Sequence, residues 1–286
     1  MELGFGRARA LAEPCFSRGV YDDAVKWVYN GCAINLTVSL ASTKAMQIDT
    51  ISVTNNEVIP VSPMSREIAI PIDAVQLMGS LTIADGASGI VVFAHGSGSS
   101  RFSPRNRFVA DTLNDAGLAT LLFDLLTEEE EAVDMITAEL RFDIGLLADR
   151  LIEVIDWLVA YEETRHLKIG CFGASTGAAA ALIAAAARPQ SVYAVVSRGG
   201  RPDLAEGALS QVTAPTLLIV GGYDEFVIQL NEQALKNMPP SKDNKLVIVP
   251  RASHLFEEPG TLEEVARLAR DWFVKHLGAS ATHGAA

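Results

Sequence analysis

A serine, a histidine and an aspartate stand in this sequence in a context that suits covalent catalysis. Residues Gly173–Gly177 (GASTG) have the pattern G-x-S-x-G, in which a sharp turn from strand to helix lifts the serine hydroxyl clear of a sheet. They lie between an apolar segment, KIGCF, that predicts a strand and an alanine-rich segment that predicts a helix. This context favours Ser175 as a nucleophile over the alternative of an ordinary helix N-cap.

A serine hydroxyl is a weak nucleophile near neutral pH and needs a neighbouring base, usually a histidine. Two histidines, His95 and His254, follow predicted strands at the edge where Ser175 would lie. His254, in PRASH after the last predicted strand, is the predicted base, and a solvent-exposed loop histidine is the alternative. The remaining histidines lie before the Ser175 strand, in the last helix and in the tail: His166, His276 and His283.

The third member of such a set is a carboxylate that orients the imidazole and stabilises its protonated form. Asp224 follows an apolar strand and a Gly-Gly turn in GGYDEFV, between Ser175 and His254 in the chain. Asp203, after another strand, is the competitor, with pairing to an arginine or capping of a helix as its other roles. Asp124 and the acidic run Glu128–Glu131 are interpreted as a solvated loop.

Acyl transfer also requires hydrogen-bond donors for the developing oxyanion. The backbone N–H of Thr176, directly after the nucleophile, is one expected donor. The other is expected from the loop HGSGSS, where Ser97 is the first choice and Gly96 and Gly98 remain open. The alternative is a phosphate-binding loop, but the segment lacks the GK[ST] ending of a P-loop and the G-x-G-x-x-G spacing of a dinucleotide site.

Strands that alternate with helices would bring these residues together. Such an alternation predicts an α/β fold with a mostly parallel sheet covered by helices on both faces, and ligand sites at the carboxyl ends of its strands. The predicted strands are Val75–Ile83, Gly89–Ala94, Leu118–Phe123, Lys168–Phe172, Val192–Ser197, Thr216–Val220 and Lys245–Val249, and the predicted helices are Arg105–Ala116, Ile144–Tyr161, Ser175–Ala187, Val227–Met238 and Thr261–Leu277.

The two ends of the chain lack this regularity. Residues 1–60 are predicted to be an N-terminal extension of unassigned role, with a weak helical patch at Tyr21–Tyr29 and a possible strand at Ile34–Leu40. Residues 61–278 are predicted to form the catalytic domain, and residues 279–286 a frayed tail.

Composition narrows the class of partner. The net charge of -12 argues against nucleic acid and anionic membrane surfaces. Three cysteines form no disulfide framework, and neither a signal peptide nor a membrane-spanning segment is recognised, so a cytoplasmic location is expected. No group of ligands has metal-binding spacing, so no metal is expected.

Together, AHGSGSS, GASTG, GGYDEFV and RASH resemble the α/β-hydrolase superfamily, and specifically its dienelactone-hydrolase-like branch, over about Arg66 to Leu277. The resemblance implies an eight-stranded, mostly parallel sheet, no large cap domain, no cofactor, and the triad Ser175, Asp224 and His254. Dienelactone hydrolases carry a cysteine at the nucleophile position of this turn, whereas this chain has Ser175 there. Cys171 lies inside the predicted strand and is interpreted as a core residue.

The expected function is therefore that of a serine carboxylesterase acting on small soluble esters through an acyl-enzyme on Ser175. A lactonase or dienelactone-hydrolase-like enzyme with the same triad is the alternative, and a non-catalytic binding module is a more distant one. No long insertion follows Val192–Ser197, which favours an open site. The acyl and alcohol preferences and the oligomeric state stay undetermined.

Overall fold

The computed structural model describes residues 24–29, 32–40, 46–54, 65–73, 75–241 and 243–278. The chain divides into two compact units, Met1–Val61 and Ser62–Ala286. In the first unit, β1 (Ala24–Tyr29), β2 (Cys32–Leu40) and β3 (Met46–Thr54) form an antiparallel sheet in that order.

The sequence predicted one of these strands and misassigned another. The strand expected at Ile34–Leu40 is confirmed within β2. The helical patch expected at Tyr21–Tyr29 is wrong from Ala24 onward, because AVKWVY pairs with β2 as β1. Valine, tryptophan and tyrosine favour a pleated surface, and the weak helical period was an accident of their spacing. The predicted tail, residues 279–286, lies outside the described residues.

The second unit is built on one eight-stranded sheet. Its strands are β4 (Arg66–Ile72), β5 (Val75–Thr82), β6 (Gly89–Ala94), β7 (Ala119–Phe123), β8 (Lys168–Ala174), β9 (Val192–Arg198), β10 (Thr216–Gly221) and β11 (Lys245–Val249). They lie in the order β11-β10-β9-β8-β6-β7-β5-β4. The β4–β5 and β5–β7 pairs are antiparallel and the other pairs are parallel. The eight-stranded, mostly parallel sheet that the resemblance implied is thus confirmed.

Helices cover both faces of this sheet, as predicted. The helices are α1 (Pro104–Asp115), α2 (Glu128–Thr137), α3 (Ile144–Ala160), α4 (Thr176–Ala187), α5 (Glu225–Asn237) and α6 (Thr261–Leu277). Helices α3 and α4 share one apolar cluster with the sheet, and α1 and α6 share the other. Within the described residues, no helix is long and apolar enough to cross a membrane.

The acidic run Glu128–Glu131, predicted to be a solvated loop, is instead the first turn of α2. The Thr127 side chain accepts a hydrogen bond from the Glu130 N–H, and the Glu130 carboxylate accepts one from the Thr127 N–H. This reciprocal cap and the positive end of the helix dipole both favour acidic residues at a helix start. The loop prediction is wrong because Thr127 and Glu130 form a cap that starts a helix in this acidic run.

The order of the strands creates a topological switch point beside β6. From β6 the chain passes through α1 to β7 on one side, and from β7 through α3 to β8 on the other side of β6. Where the connections diverge in this way, the carboxyl ends of the two strands leave a space for a ligand. The loop His95–Ser100 follows β6 and Ser175 follows β8, so both lie at this point.

Candidate active site

Ser175 occupies the turn between β8 and α4 in a strained backbone conformation, with φ 49° and ψ -117°. The two flanking glycines are required by close packing. A Cβ at Gly173 would lie 2.4 Å from the Ala178 Cα, and one at Gly177 would lie 2.2 Å from the Ala94 carbonyl oxygen. The G-x-S-x-G segment therefore forms the sharp turn that its pattern predicts.

The structure brings the three predicted triad residues together. The His254 Nε2 lies 3.3 Å from the Ser175 Oγ, and the His254 Nδ1 lies 2.6 Å from the Asp224 Oδ2. An ionised carboxylate only accepts hydrogen bonds, so Nδ1 carries the proton and Nε2 presents a lone pair to the serine. This arrangement is able to take the proton of the Ser175 hydroxyl.

The competing acid makes different contacts. The Asp203 carboxylate accepts two hydrogen bonds from the Arg201 guanidinium, at 2.8 and 2.7 Å. Pairing with an arginine was the alternative that the sequence offered for this residue. Asp124, predicted to be solvated, accepts a hydrogen bond from the Arg101 N–H at 2.7 Å and pairs with the Arg101 guanidinium. That prediction is corrected, because the Asp124 carboxylate holds the end of the loop after β6.

The loop after β6 lies against the turn Gly173–Gly177 between β8 and α4, called the elbow below. A Cβ at Gly96 would lie 3.2 Å from the Ser175 Cβ. The Thr176 N–H, at the first position of α4, is one of the amides that a helix leaves without an intrahelical partner. The Ser97 N–H, the predicted second donor, donates to the Thr176 Oγ1 at 3.0 Å. The two predicted oxyanion donors are therefore neighbours joined by the Thr176 hydroxyl.

His95, which the sequence offered only as a rival base, anchors this loop. Its Nε2 accepts a hydrogen bond from the Leu125 N–H at 3.1 Å, so Nδ1 carries the proton and donates to the Gly96 carbonyl at 3.0 Å. Burial lowers the pKa of His95 below its ordinary value. The ring is therefore neutral and ties the loop to the segment that follows β7.

Sequence reasoning missed Arg198, the last residue of β9. Its carbonyl accepts the Ser175 N–H at 3.1 Å, which links β9 to the elbow. Its side chain is buried, and its Nη1 has no hydrogen-bond partner among the described residues. Burial, and then the charge of Arg105, lower the pKa of Arg198 to about 10. The available signal was an arginine that ends an otherwise apolar strand.

Cysteine and metal chemistry find little support in the described part of the chain. Cys171 lies inside β8, and burial raises the pKa of its thiol to about 12. A thiol with that pKa is not a nucleophile near neutral pH. The described residues contain no group of three or more histidine, cysteine, aspartate or glutamate side chains that could hold a metal ion.

Comparisons of the sequence and of the structure with known proteins point to the same family. The profile of the "Dienelactone hydrolase family" matches residues 78–276. The crystal structure of a dienelactone hydrolase from Anabaena variabilis is 61% identical, with a TM-score of 0.74, over 75% of this chain and 99% of that chain. Est1E from Butyrivibrio proteoclasticus has the same fold at 17% identity, with a TM-score of 0.61, over 74% of this chain and 99% of its own.

The curated relatives are longer proteins. A "putative phosphoribosyl transferase" from two strains of Mycobacterium tuberculosis is 57% identical over 212 residues, which are 74% of this chain and 46% of the relative. This chain therefore spans about half the length of the curated relatives that it matches.

Proposed function

Because this chain belongs to the dienelactone hydrolase family, we propose that it is a serine carboxylesterase that hydrolyses small esters through an acyl-enzyme on Ser175. The observation that carries the proposal is the hydrogen-bonded series from Asp224 through His254 to Ser175, with distances of 2.6 and 3.3 Å. This series lies at the carboxyl edge of the parallel strands, where ligands of such sheets bind.

In the first half of the reaction, the Ser175 Oγ attacks the ester carbonyl carbon while the His254 Nε2 takes the hydroxyl proton. The carbonyl π electrons move to its oxygen, which becomes the oxyanion. Collapse of this intermediate breaks the bond to the alcohol oxygen, and the imidazolium returns its proton to the departing alkoxide. Asp224 stabilises the imidazolium throughout.

In the second half, water attacks the acyl-enzyme and gives its proton to the same histidine nitrogen. Collapse of the second tetrahedral intermediate breaks the bond to the Ser175 Oγ, which recovers the proton from the imidazolium. The carboxylic acid leaves and the enzyme is restored. No cofactor and no metal take part in either half of this reaction.

The exposure of the triad histidine supports small esters as substrates. The His254 side chain is 38% exposed, and two short 3-10 segments, which lie within Pro202–Gln211 and are separated by a kink at Glu206, follow β9. Tyr223 and Leu255, which flank Asp224 and His254 in the chain, are exposed large apolar side chains. The exposure of His254 favours substrates that reach Ser175 directly from solvent.

Lactone hydrolysis is the second candidate, since the 61% identical relative is named a dienelactone hydrolase. A lactone is a cyclic ester, and the same attack by Ser175 would open its ring. Phosphoribosyl transfer, named for the longer relatives, is not part of the proposal, because the triad transfers acyl groups. A cytoplasmic location without nucleic-acid or membrane partners remains part of the prediction.

The decisive experiment combines covalent labelling with turnover. A fluorophosphonate probe should label the wild-type protein and not Ser175→Ala, and nitrophenyl esters of increasing acyl length should be hydrolysed, fastest at short lengths. Ser175→Ala should lower kcat by roughly 10⁴-fold or more while the thermal melt stays unchanged. An enol lactone assayed in parallel decides between the two candidates. A folded Ser175→Ala protein with wild-type turnover would exclude both.

A further inference from the structure

The Thr176 side chain carries a hydroxyl that the mechanism above does not use. Thr176 is only 4% exposed, so the surroundings of its hydroxyl are set by the fold. Its Oγ1 accepts the Ser97 N–H at 3.0 Å, across 79 positions of the chain. A buried hydroxyl beside the nucleophile, already engaged by the loop after β6, is well placed to act on the reacting group.

The proton of this hydroxyl remains to be donated, along with its second lone pair. A threonine hydroxyl has one proton to donate and two lone pairs, and the Ser97 N–H uses one lone pair. The Thr176 N–H and Oγ1–H belong to the same residue, three bonds apart from nitrogen to oxygen. An oxyanion held by the N–H is therefore also within reach of the hydroxyl proton.

The direction of the Ser97 N–H is fixed by its neighbours. The His95 Nδ1–H holds the Gly96 carbonyl, and the Leu125 N–H holds the opposite side of the same ring. Because the Gly96–Ser97 peptide is planar, fixing its carbonyl also fixes the Ser97 N–H, which points at the Thr176 Oγ1. The Ser97 N–H thus meets the threonine oxygen in the free protein.

We propose that the Thr176 hydroxyl is a catalytic oxyanion donor, and that the Ser97 N–H acts through it by donating to Oγ1. The inference rests on the proposed function and adds the Thr176 hydroxyl, as a second donor, to the Thr176 N–H. A hydroxyl that accepts a hydrogen bond is polarised and becomes a better donor. No proton is transferred: the Oγ1–H bond stays intact while its hydrogen bond strengthens as negative charge grows on the substrate oxygen.

Substitutions at residue 176 separate the hydroxyl from the shape of the side chain. Thr176→Val replaces the hydroxyl with a methyl group, and Thr176→Ser keeps the hydroxyl and removes a methyl. With nitrophenyl acetate, the loss of one oxyanion donor should lower kcat of Thr176→Val by roughly 10- to 100-fold, with KM changed by less than about threefold. Thr176→Ser, which keeps the hydroxyl, should retain a kcat at least about threefold above that of Thr176→Val.

A transition-state analogue supplies the readout that a structural role would not move. A trifluoromethyl ketone forms a tetrahedral oxyanion adduct with a serine, so its inhibition constant should rise in Thr176→Val by about the factor that kcat/KM falls. Thermal melts of the variants establish folding, and if the valine variant does not fold, Thr176→Ala is compared with Thr176→Ser instead.

The outcomes separate this inference from the proposed function. If Thr176→Val keeps kcat and analogue affinity, or if Thr176→Ser is impaired as much as Thr176→Val, the hydroxyl is not a donor and the inference is wrong, while the triad stands. If the wild type is not labelled by a fluorophosphonate or loses nothing in Ser175→Ala, the proposed function itself fails and the inference falls with it.

Discussion

At the scale of single residues, the two aspartates that the sequence offers as the acid differ in their hydrogen-bond partners. Asp224 accepts from the His254 ring, while Asp203 accepts twice from Arg201. Two carboxylates that both follow strands of the same sheet are thereby given different partners. In the structure the Asp203 carboxylate is turned to Arg201, and of the two carboxylates it is Asp224 that contacts the histidine.

The first residue-scale prediction tests this assignment. Asp224→Ala should lower kcat for nitrophenyl acetate by roughly 10³- to 10⁴-fold, because the imidazole loses the group that fixes its tautomer and stabilises its charge. Asp203→Ala, the matched control, should keep at least about a tenth of wild-type kcat. The opposite ranking of the two variants would move the acid to Asp203 and leave the roles of Ser175 and His254 intact.

The second residue-scale prediction concerns His95 and pH. Burial lowers its pKa below the ordinary value of 6.5, and the Gly96 carbonyl, Asp124 and Glu131 oppose this shift only in part. A base whose pKa is lower in the folded than in the unfolded state binds its proton less readily when folded. Its contribution to stability is therefore complete above about pH 6.5 and is lost as the pH falls through the folded pKa.

Thermal melts at about pH 7.5 and 5.5 measure this contribution. The melting temperature of the wild type should fall more over this range than that of His95→Gln, which cannot be protonated. The His276 pKa is also lowered by burial, so thermal melts of His276→Gln measure how much of the pH dependence comes from this second histidine. An equal fall in wild type and His95→Gln would show that His95 is not a source of the pH dependence.

At the scale of elements, the elbow depends on how closely the first turn of α4 approaches the end of β6. The Gly177 position has no room for a Cβ, because the carbonyl oxygens of Ala94 and His95 would lie 2.2 and 2.5 Å away. Buried alanines, Ala178–Ala181, continue this close approach along the helix. The strain at Ser175 is held by packing on both sides of it.

The element-scale prediction compares two glycines that differ in the free space around an added Cβ atom. Gly177→Ala should lower the free energy of unfolding by more than about 3 kcal/mol and abolish turnover, since backbone must move away from the elbow. Gly207→Ala is the control: a Cβ there meets nothing within 4 Å, and its effect should stay within about 0.5 kcal/mol. Chemical denaturation and nitrophenyl acetate turnover check both variants. A Gly177→Ala protein with wild-type stability would show that the close approach of α4 to β6 is relaxed in solution.

At the scale of the whole molecule, the proposed chemistry belongs to one of the two units. The sheet of β4 to β11, both of its apolar clusters and every residue of the proposed site lie within Ser62–Ala286. The crystal structure from Anabaena variabilis matches 75% of this chain and 99% of its own. These observations indicate that the second unit carries its own core.

The prediction at this scale is that a variant lacking residues 1–61 folds and keeps kcat/KM for nitrophenyl acetate within about threefold of the full chain. A cooperative thermal melt checks the folding of the truncated variant. Ser175→Ala in the same truncated chain is the control for background hydrolysis. An insoluble or inactive truncated protein would mean that the first unit is needed for folding or for the site.

The sequence by itself determined the features that contiguous residues encode. Alternation, apolar runs and helical spacing predicted β5 to β11 and most of the helices. The G-x-S-x-G pattern predicted the sharp turn at Ser175, where close packing requires Gly173 and Gly177. The capped first turn of α2 is encoded locally as well, in Thr127 and Glu130. Strand β4 went unassigned, because its burial alternates only in part and its pairing with β5 is what defines it.

Only the tertiary structure decided the contacts between distant residues. The bonds from His254 to Asp224 and Ser175 span 30 and 79 positions, and the Ser97–Thr176 bond also spans 79. Which strand ends meet depends on the order of strands in the sheet, and this order places β6 between β7 and β8. The contact between Asp224 and His254 depends on that order, and so does the contact of the Ser97 N–H with the Thr176 hydroxyl. The burial of Arg198 depends on it as well, because local patterns specify elements and not their neighbours.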